Sequence, residues 1–180
     1  MDLRKQKTRQ AIQEAFLRLR KEKSLEQISV TGLSALAQVS KATFYLHYRD
    51  LFDLSEKLQE DVIRRILRRI NPSVSVLDHW ADFMKQMMTI VEEDHAELEV
   101  LFSGSQMVMF PLLLENQLRE CILEQAPELQ EDTELSIRLT YHIQGGYHAY
   151  LRHAHHADLE EILGIIGDIH RKTGINSPGL

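Results

Sequence analysis

The densest run of side chains able to make directed polar contacts is Ser40 to Tyr48, S-K-A-T-F-Y-L-H-Y. Wound as a short helix, it turns Phe44 inward as a pin and leaves Lys41, Ala42, Thr43, Tyr45 and His47 facing outward. Lys41 can reach a phosphate or a guanine edge, and Thr43 offers a hydroxyl and a methyl to a phosphate or a thymine. Tyr45 and His47 can donate to phosphate oxygens. Ala42 is small enough for close approach to a groove floor. Thr31, Ser40 and Arg49 complete this candidate nucleic-acid set.

Those groups need a rigid carrier, and the flanking sequence supplies one. Ile12, Ala15, Phe16 and Leu19 fall at i, i+3, i+4 and i+7, which predicts an amphipathic helix over about residues 4–21. A connector at Leu25 to Ile28 leads to helices at 29–38 and 40–47. Each of these opens on a serine whose oxygen can accept from the unpaired amides of the first turn. Separated only by Gln38 and Val39, they form a helix-turn-helix. Asp50 can cap the next helix, whose Leu51, Leu54, Leu58, Val62 and Ile66 keep helical spacing until Asn71-Pro72-Ser73 stops it.

Further helices are expected over about 76–93, 96–102, 111–125, 133–153 and 158–172. Strand signals are nearly absent: β-branched residues do not alternate in runs, and no Asn-Gly or Asp-Gly hairpin turn occurs. The expected fold is all-α. An N-terminal three-helix helix-turn-helix module, 1–49, joins a larger C-terminal helical bundle, 50–180, which begins with the connecting helix and holds effector binding and dimerisation.

Charge divides the chain in a related way. The 180 residues carry a net charge of -6, yet residues 1–70 hold 15 Lys/Arg against 9 Asp/Glu, and residues 71–180 hold 6 against 18. A basic head on an acidic body suits a polyanion partner that touches only the head. The single cysteine, Cys121, excludes an internal disulfide framework and a four-cysteine zinc site. No apolar run approaches the roughly 18 to 20 residues of a membrane span, and the charged start, MDLRKQKTRQ, has no secretory h-region. A cytoplasmic protein without a membrane partner is expected.

Residues 4–66 resemble the N-terminal domain of the TetR family of bacterial transcriptional regulators. The likeness rests on T-R-Q-A-I-Q-E-A-F in the first helix, L-S-A-L-A-Q-V-S in the second helix and turn, and K-A-T-F-Y-L-H-Y in the third. It implies that the third helix is the recognition helix. Lys41, Ala42 and Thr43 would face bases or phosphates, and Tyr45 and His47 would clamp phosphates. Two positions depart from the family pattern. Gln38 stands where the turn commonly has glycine, so it must accept a strained turn or adopt another. Leu51 stands where a lysine commonly opens the fourth helix and touches phosphate, so Arg49 is expected to supply part of that contact. Weaker or differently spaced operator binding would follow.

Outside the motif, the basic residues Arg4, Lys5, Lys7 and Arg9 either reach into an adjacent minor groove, lie along the backbone, or belong to a solvated terminus. Arg64, Arg65, Arg68 and Arg69 form a solvated face or contact the acidic body. Recognition modules of this size act as dimers whose reading helices sit about one DNA turn apart. Gly145 and Gly146, with Gly164 and Gly167, each weaken a helix by roughly 1 kcal/mol relative to Ala, which makes sense where backbones approach closely; a kink or loop at Gly145-Gly146 is the alternative. The resemblance puts these glycines on the two helices that pack with a two-fold mate as a four-helix bundle.

A small apolar or amphipathic effector would meet Trp80, Phe83, Met84, Met87 and Met88, with Phe102, Met107, Met109, Phe110, Tyr141 and Tyr147. Methionine adapts to variable apolar ligands, although the same residues equally make plain core. His153, His155 and His156 give a His-x-x-His spacing that could chelate a metal with Asp158 or Glu160, or simply complement a helix end. No nucleophile elbow, P-loop or dinucleotide-binding loop occurs, so neither enzyme chemistry nor a cofactor is expected. Cys121 reads as a small core residue. The leading expectation is a homodimeric repressor that binds a palindromic duplex operator and is released by the effector. The alternatives are a regulator of the same fold that is switched by a protein partner or acts as an activator, and a metal-binding helical bundle.

Overall fold

In a computed structural model, which describes residues 3–77, 79–153, 155–156 and 158–172, the protein is helical and the described residues contain no strand. Nine α-helices occur among them: α1 Leu3–Arg20, α2 Val30–Leu36, α3 Lys41–Tyr45, α4 Leu51–Ile70, α5 Trp80–Glu93, α6 His95–Leu101, α7 Met109–Gln125, α8 Thr133–His153 and α9 Leu159–Lys172. No single described helix is long and apolar enough to cross a membrane.

Local chemistry explains most boundaries. Ser29 Oγ accepts from the Gly32 amide at 3.1 Å, and Ser40 Oγ accepts from the Thr43 amide at 3.0 Å, so both short helices begin on a side-chain cap. α2 ends in a Schellman turn: the Gln38 amide donates to the Ala35 carbonyl and the Val39 amide to the Ser34 carbonyl. That turn needs a left-handed residue, and Gln38 takes it at φ 55°. Asp50 Oδ1 accepts from the Asp53 amide at 2.8 Å to open α4, and Asn71 at φ 53° ends it before Pro72.

One expected helix is divided. Residues 74–77 form a 3-10 turn, Val74–Leu77, and α5 starts only at Trp80. Val76 and Leu77 are buried either way, so apolar spacing alone did not separate a tight turn from another turn of α-helix.

The chain forms two compact units. The first comprises Met1–Val62 with His95–Val108, and the second comprises Ile63–Asp94 with Met109–Leu180. This partition differs from a simple break at residue 49, because the first half of α4 and all of α6 belong with the N-terminal helices. In the first unit α1 packs on α2 and α6, and α2 on α3, around Ile12, Phe16, Leu33, Phe44, Leu54 and Leu101, none of which has exposed surface. Arg20 of α1 donates to Ser103 Oγ at 2.9 Å, buried Gln59 of α4 donates to the Leu101 carbonyl at 2.8 Å, and Ser105 donates to Glu26 at 2.6 Å. In the second unit α7 packs on α8, α8 on α9 and α5 on α9.

Candidate nucleic-acid interface

Phe44 fixes the attitude of α3. Its ring lies edge-on to Tyr45 at 5.4 Å and tilted against Tyr48 at 5.7 Å, and both Phe44 and Tyr48 are buried. Helical geometry then sends the intervening residues outward: Lys41, Ala42 and Tyr45 are exposed, and Thr43 and His47 are half-buried. Ser40 and Thr43 share a hydroxyl contact at 2.8 Å beside the cap. Thr31 is exposed in the first turn of α2. One short capped helix therefore gathers Ser40, Lys41, Ala42, Thr43 and Tyr45 on an accessible surface, and His47 and Arg49 follow directly in the chain.

The departure at Leu51 from the pattern of the resembled family has a visible structural effect. Leu51 is buried and offers nothing to a polyanion. Arg49 has a side chain that is 80% exposed, but its Nε donates to Asp53 Oδ1 at 3.1 Å. Asp53 is a buried carboxylate that the sequence reading did not single out. It also accepts from the Arg49 amide at 3.0 Å and from Lys57 Nζ at 2.9 Å. Burial works to raise its pKa, but the Lys57 ammonium and the Arg49 amide and guanidinium outweigh that and hold it below the usual carboxylate value. Lys57 Nζ also lies 5.3 Å from the centroid of the Tyr48 ring. The spacing Arg49, Asp53, Lys57, four residues each, was the available signal.

On α1, Arg9 pairs with Asp61 of α4 at 3.3 Å. Arg69, at the end of α4, pairs with Glu93 and, at 3.6 Å, with Asp94. Part of the dense arginine run thus meets acidic side chains of its own unit.

The proposed effector residues are divided between the two units. Phe102 and Met107 lie in the first unit, and the others lie in the second. Trp80 is buried, with Phe83 and His142 each at 5.1 Å between ring centroids, and Phe110 stacks on Tyr147 at 5.8 Å. Met87 is buried, Met84, Met88 and Met109 are half-buried, and Met107 is exposed. A depression of about 150 Å³ between α8 and α9 is lined by Tyr141, His142, Gly145, Gly146, Ala149, Ile166 and Ile169.

α8 runs unbroken through Gly145 and Gly146, so no loop occurs there. A β-carbon built at Gly145, Gly146 or Gly164 would meet nothing within 4 Å. Among the described residues, therefore, nothing makes the close approach inferred for Gly145, Gly146 and Gly164. Gly167 is buried on α9. His155 and His156 are exposed beyond the end of α8, and among the described residues no three His, Cys, Asp or Glu side chains are placed to hold a metal ion. The Cys121 thiol is pushed up by burial and by Glu124 and Glu120, which keeps it protonated at neutral pH.

The chain matches no family model, no curated protein and no solved structure.

Proposed function

We propose that this protein is a DNA-binding transcriptional regulator of the TetR kind, a homodimer that reads a palindromic operator through α3. One observation carries the reading: Lys41 and Tyr45 are exposed, and Thr43 half-buried, on a short helix that Ser40 caps and Phe44 anchors, with His47 following in the chain. This couples a rigid mount to groups that suit phosphates and base edges. The excess of basic residues over 1–70 and of acidic residues beyond supports the same assignment of head and body.

The dimer contact in this proposal is the outer face of α8 and α9. Ile137, Tyr141 and Gly145 recur every four residues along α8, and Ile165 and Ile169 do so along α9. Ile137, Tyr141, Ile165 and Ile169 are large apolar side chains left exposed. The effector would bind the aromatic and methionine-rich part of the second unit and favour the dimer geometry that does not fit the operator, shifting the balance by its difference in affinity for the two states. Repression is the expected sign of control.

Selection of bound sequences from a random duplex pool tests the reading, followed by titration of the winner over a range of salt. A palindrome and a steep fall of log K with log salt are expected. Tyr45→Phe combined with His47→Ala should weaken binding about equally on all sequences and reduce the salt slope. No enrichment from the pool, or unchanged affinity of the double variant, would sink the assignment of α3.

A further inference from the structure

Beside the α3 surface lies a groove of about 560 Å³, lined by Lys5, Gln6, Arg9, Gln10 and Gln13 of α1, His47 after α3, and Asp61 of α4. Its walls offer two cations, one histidine and three amides against one carboxylate. The carboxylate is engaged with Arg9 at 3.3 Å, and both side chains remain more than two-fifths exposed. An ion pair that open to water is weak and readily exchanged. A second observation bears on the groove. The Tyr48 hydroxyl is buried and makes no hydrogen bond of ordinary geometry within the protein. Its neighbours Arg9 and Gln13, both of the groove wall, act to lower its pKa against the burial that raises it.

Resting on the DNA-binding reading above, we infer that this groove takes a backbone phosphodiester of the duplex, apart from the bases read by α3. In this arrangement Arg9 exchanges Asp61, its internal counter-ion, for the phosphate. The arriving phosphate oxygens would meet Lys5, Arg9 and the glutamine amides, with His47 joining the groove to the α3 surface. Asp61 is the one group in the groove that opposes an anion. Removing its charge should therefore tighten binding, whereas removing the charges of Lys5 and Arg9 should loosen it. A pair with a purely structural role would not give opposite signs.

The test titrates three forms of the full chain against the pool-selected duplex and an unrelated duplex of equal length, between roughly 50 and 200 mM salt. Lys5→Gln with Arg9→Gln should lose about tenfold in affinity on both duplexes and make the salt slope shallower by about two. Asp61→Asn should gain affinity severalfold on both and make the slope steeper by up to one. Circular dichroism and urea midpoints check that each form is folded.

If the unaltered protein binds no duplex, the DNA-binding reading falls and this inference falls with it. If the unaltered protein binds while the double variant keeps its affinity, or Asp61→Asn fails to gain, the groove assignment alone is overturned. Replacing chloride by inorganic phosphate at matched ionic strength separates the two sources of phosphate. Equal affinity in both salts, or a loss confined to proteins with Lys5 and Arg9 intact because free phosphate competes for the groove, supports the duplex contact; a urea midpoint raised by phosphate only where Lys5 and Arg9 are intact, with duplex affinity unchanged in the double variant, assigns the groove to free phosphate and overturns it.

Discussion

Gln38 occupies a backbone conformation that side chains other than glycine rarely adopt, and its side chain is exposed. Gln38→Gly should therefore relieve strain without removing packing, stabilising the protein by about 1 kcal/mol as read from the urea midpoint. A lower midpoint would mean that the glutamine makes a contact worth more than the strain. Asp53 carries a pH signature. Its pKa is lower folded than unfolded, so it contributes stability above the unfolded value of about 3.9, and that contribution is lost as pH falls through the folded pKa. The midpoint difference between the unaltered protein and Asp53→Asn should be full at neutral pH and shrink below about pH 4; a constant difference would exclude the linkage. Asp53 was legible only through its i, i+4 spacing to Arg49 and Lys57. The pairing of Arg9 with Asp61 spans 52 positions, and nothing local announces it.

Helix ends were readable wherever one side chain decides them. Ser29, Ser40, Asp50 and Asn71-Pro72 each leave a chemical mark at a boundary, and α2, α3 and α4 begin or end there. The segment before Trp80 has no such mark, because the burial of Val76 and Leu77 is compatible with a 3-10 turn or an α-helix. The outer face of α8 and α9 is a different problem, since spacing alone does not tell an apolar residue of the core from one on the surface. Tyr141 and Ile169 are exposed at 56% and 47%. If a second copy covers them, Tyr141→Glu with Ile169→Glu should convert a dimer to a folded monomer in sedimentation and abolish operator binding together with it. A dimer that survives both charges would place the contact elsewhere.

At the scale of the molecule, what escaped the sequence was which core each helix serves. Leu98 and Leu101 give α6 an inward side, but amphipathic spacing does not name a partner, and α6 packs with α1. Arg20 is the polar counterpart of that packing. Nearly buried, it donates to the Lys23 carbonyl and to Ser103, and burial pulls its pKa down. Arg20→Leu should destabilise the protein by about 2 kcal/mol, mostly through carbonyl and hydroxyl groups left without their donor; an unchanged urea midpoint would refute that role. The first unit is also discontinuous along the chain, leaving at Val62 and resuming at His95. A genetic crossover near codon 63 would carry α1 to α3 and the first part of α4 into a chimera but leave Leu98, Leu101 and Phe102 behind. Transplanting the head onto another body therefore requires two joints, with 95–108 inherited alongside it.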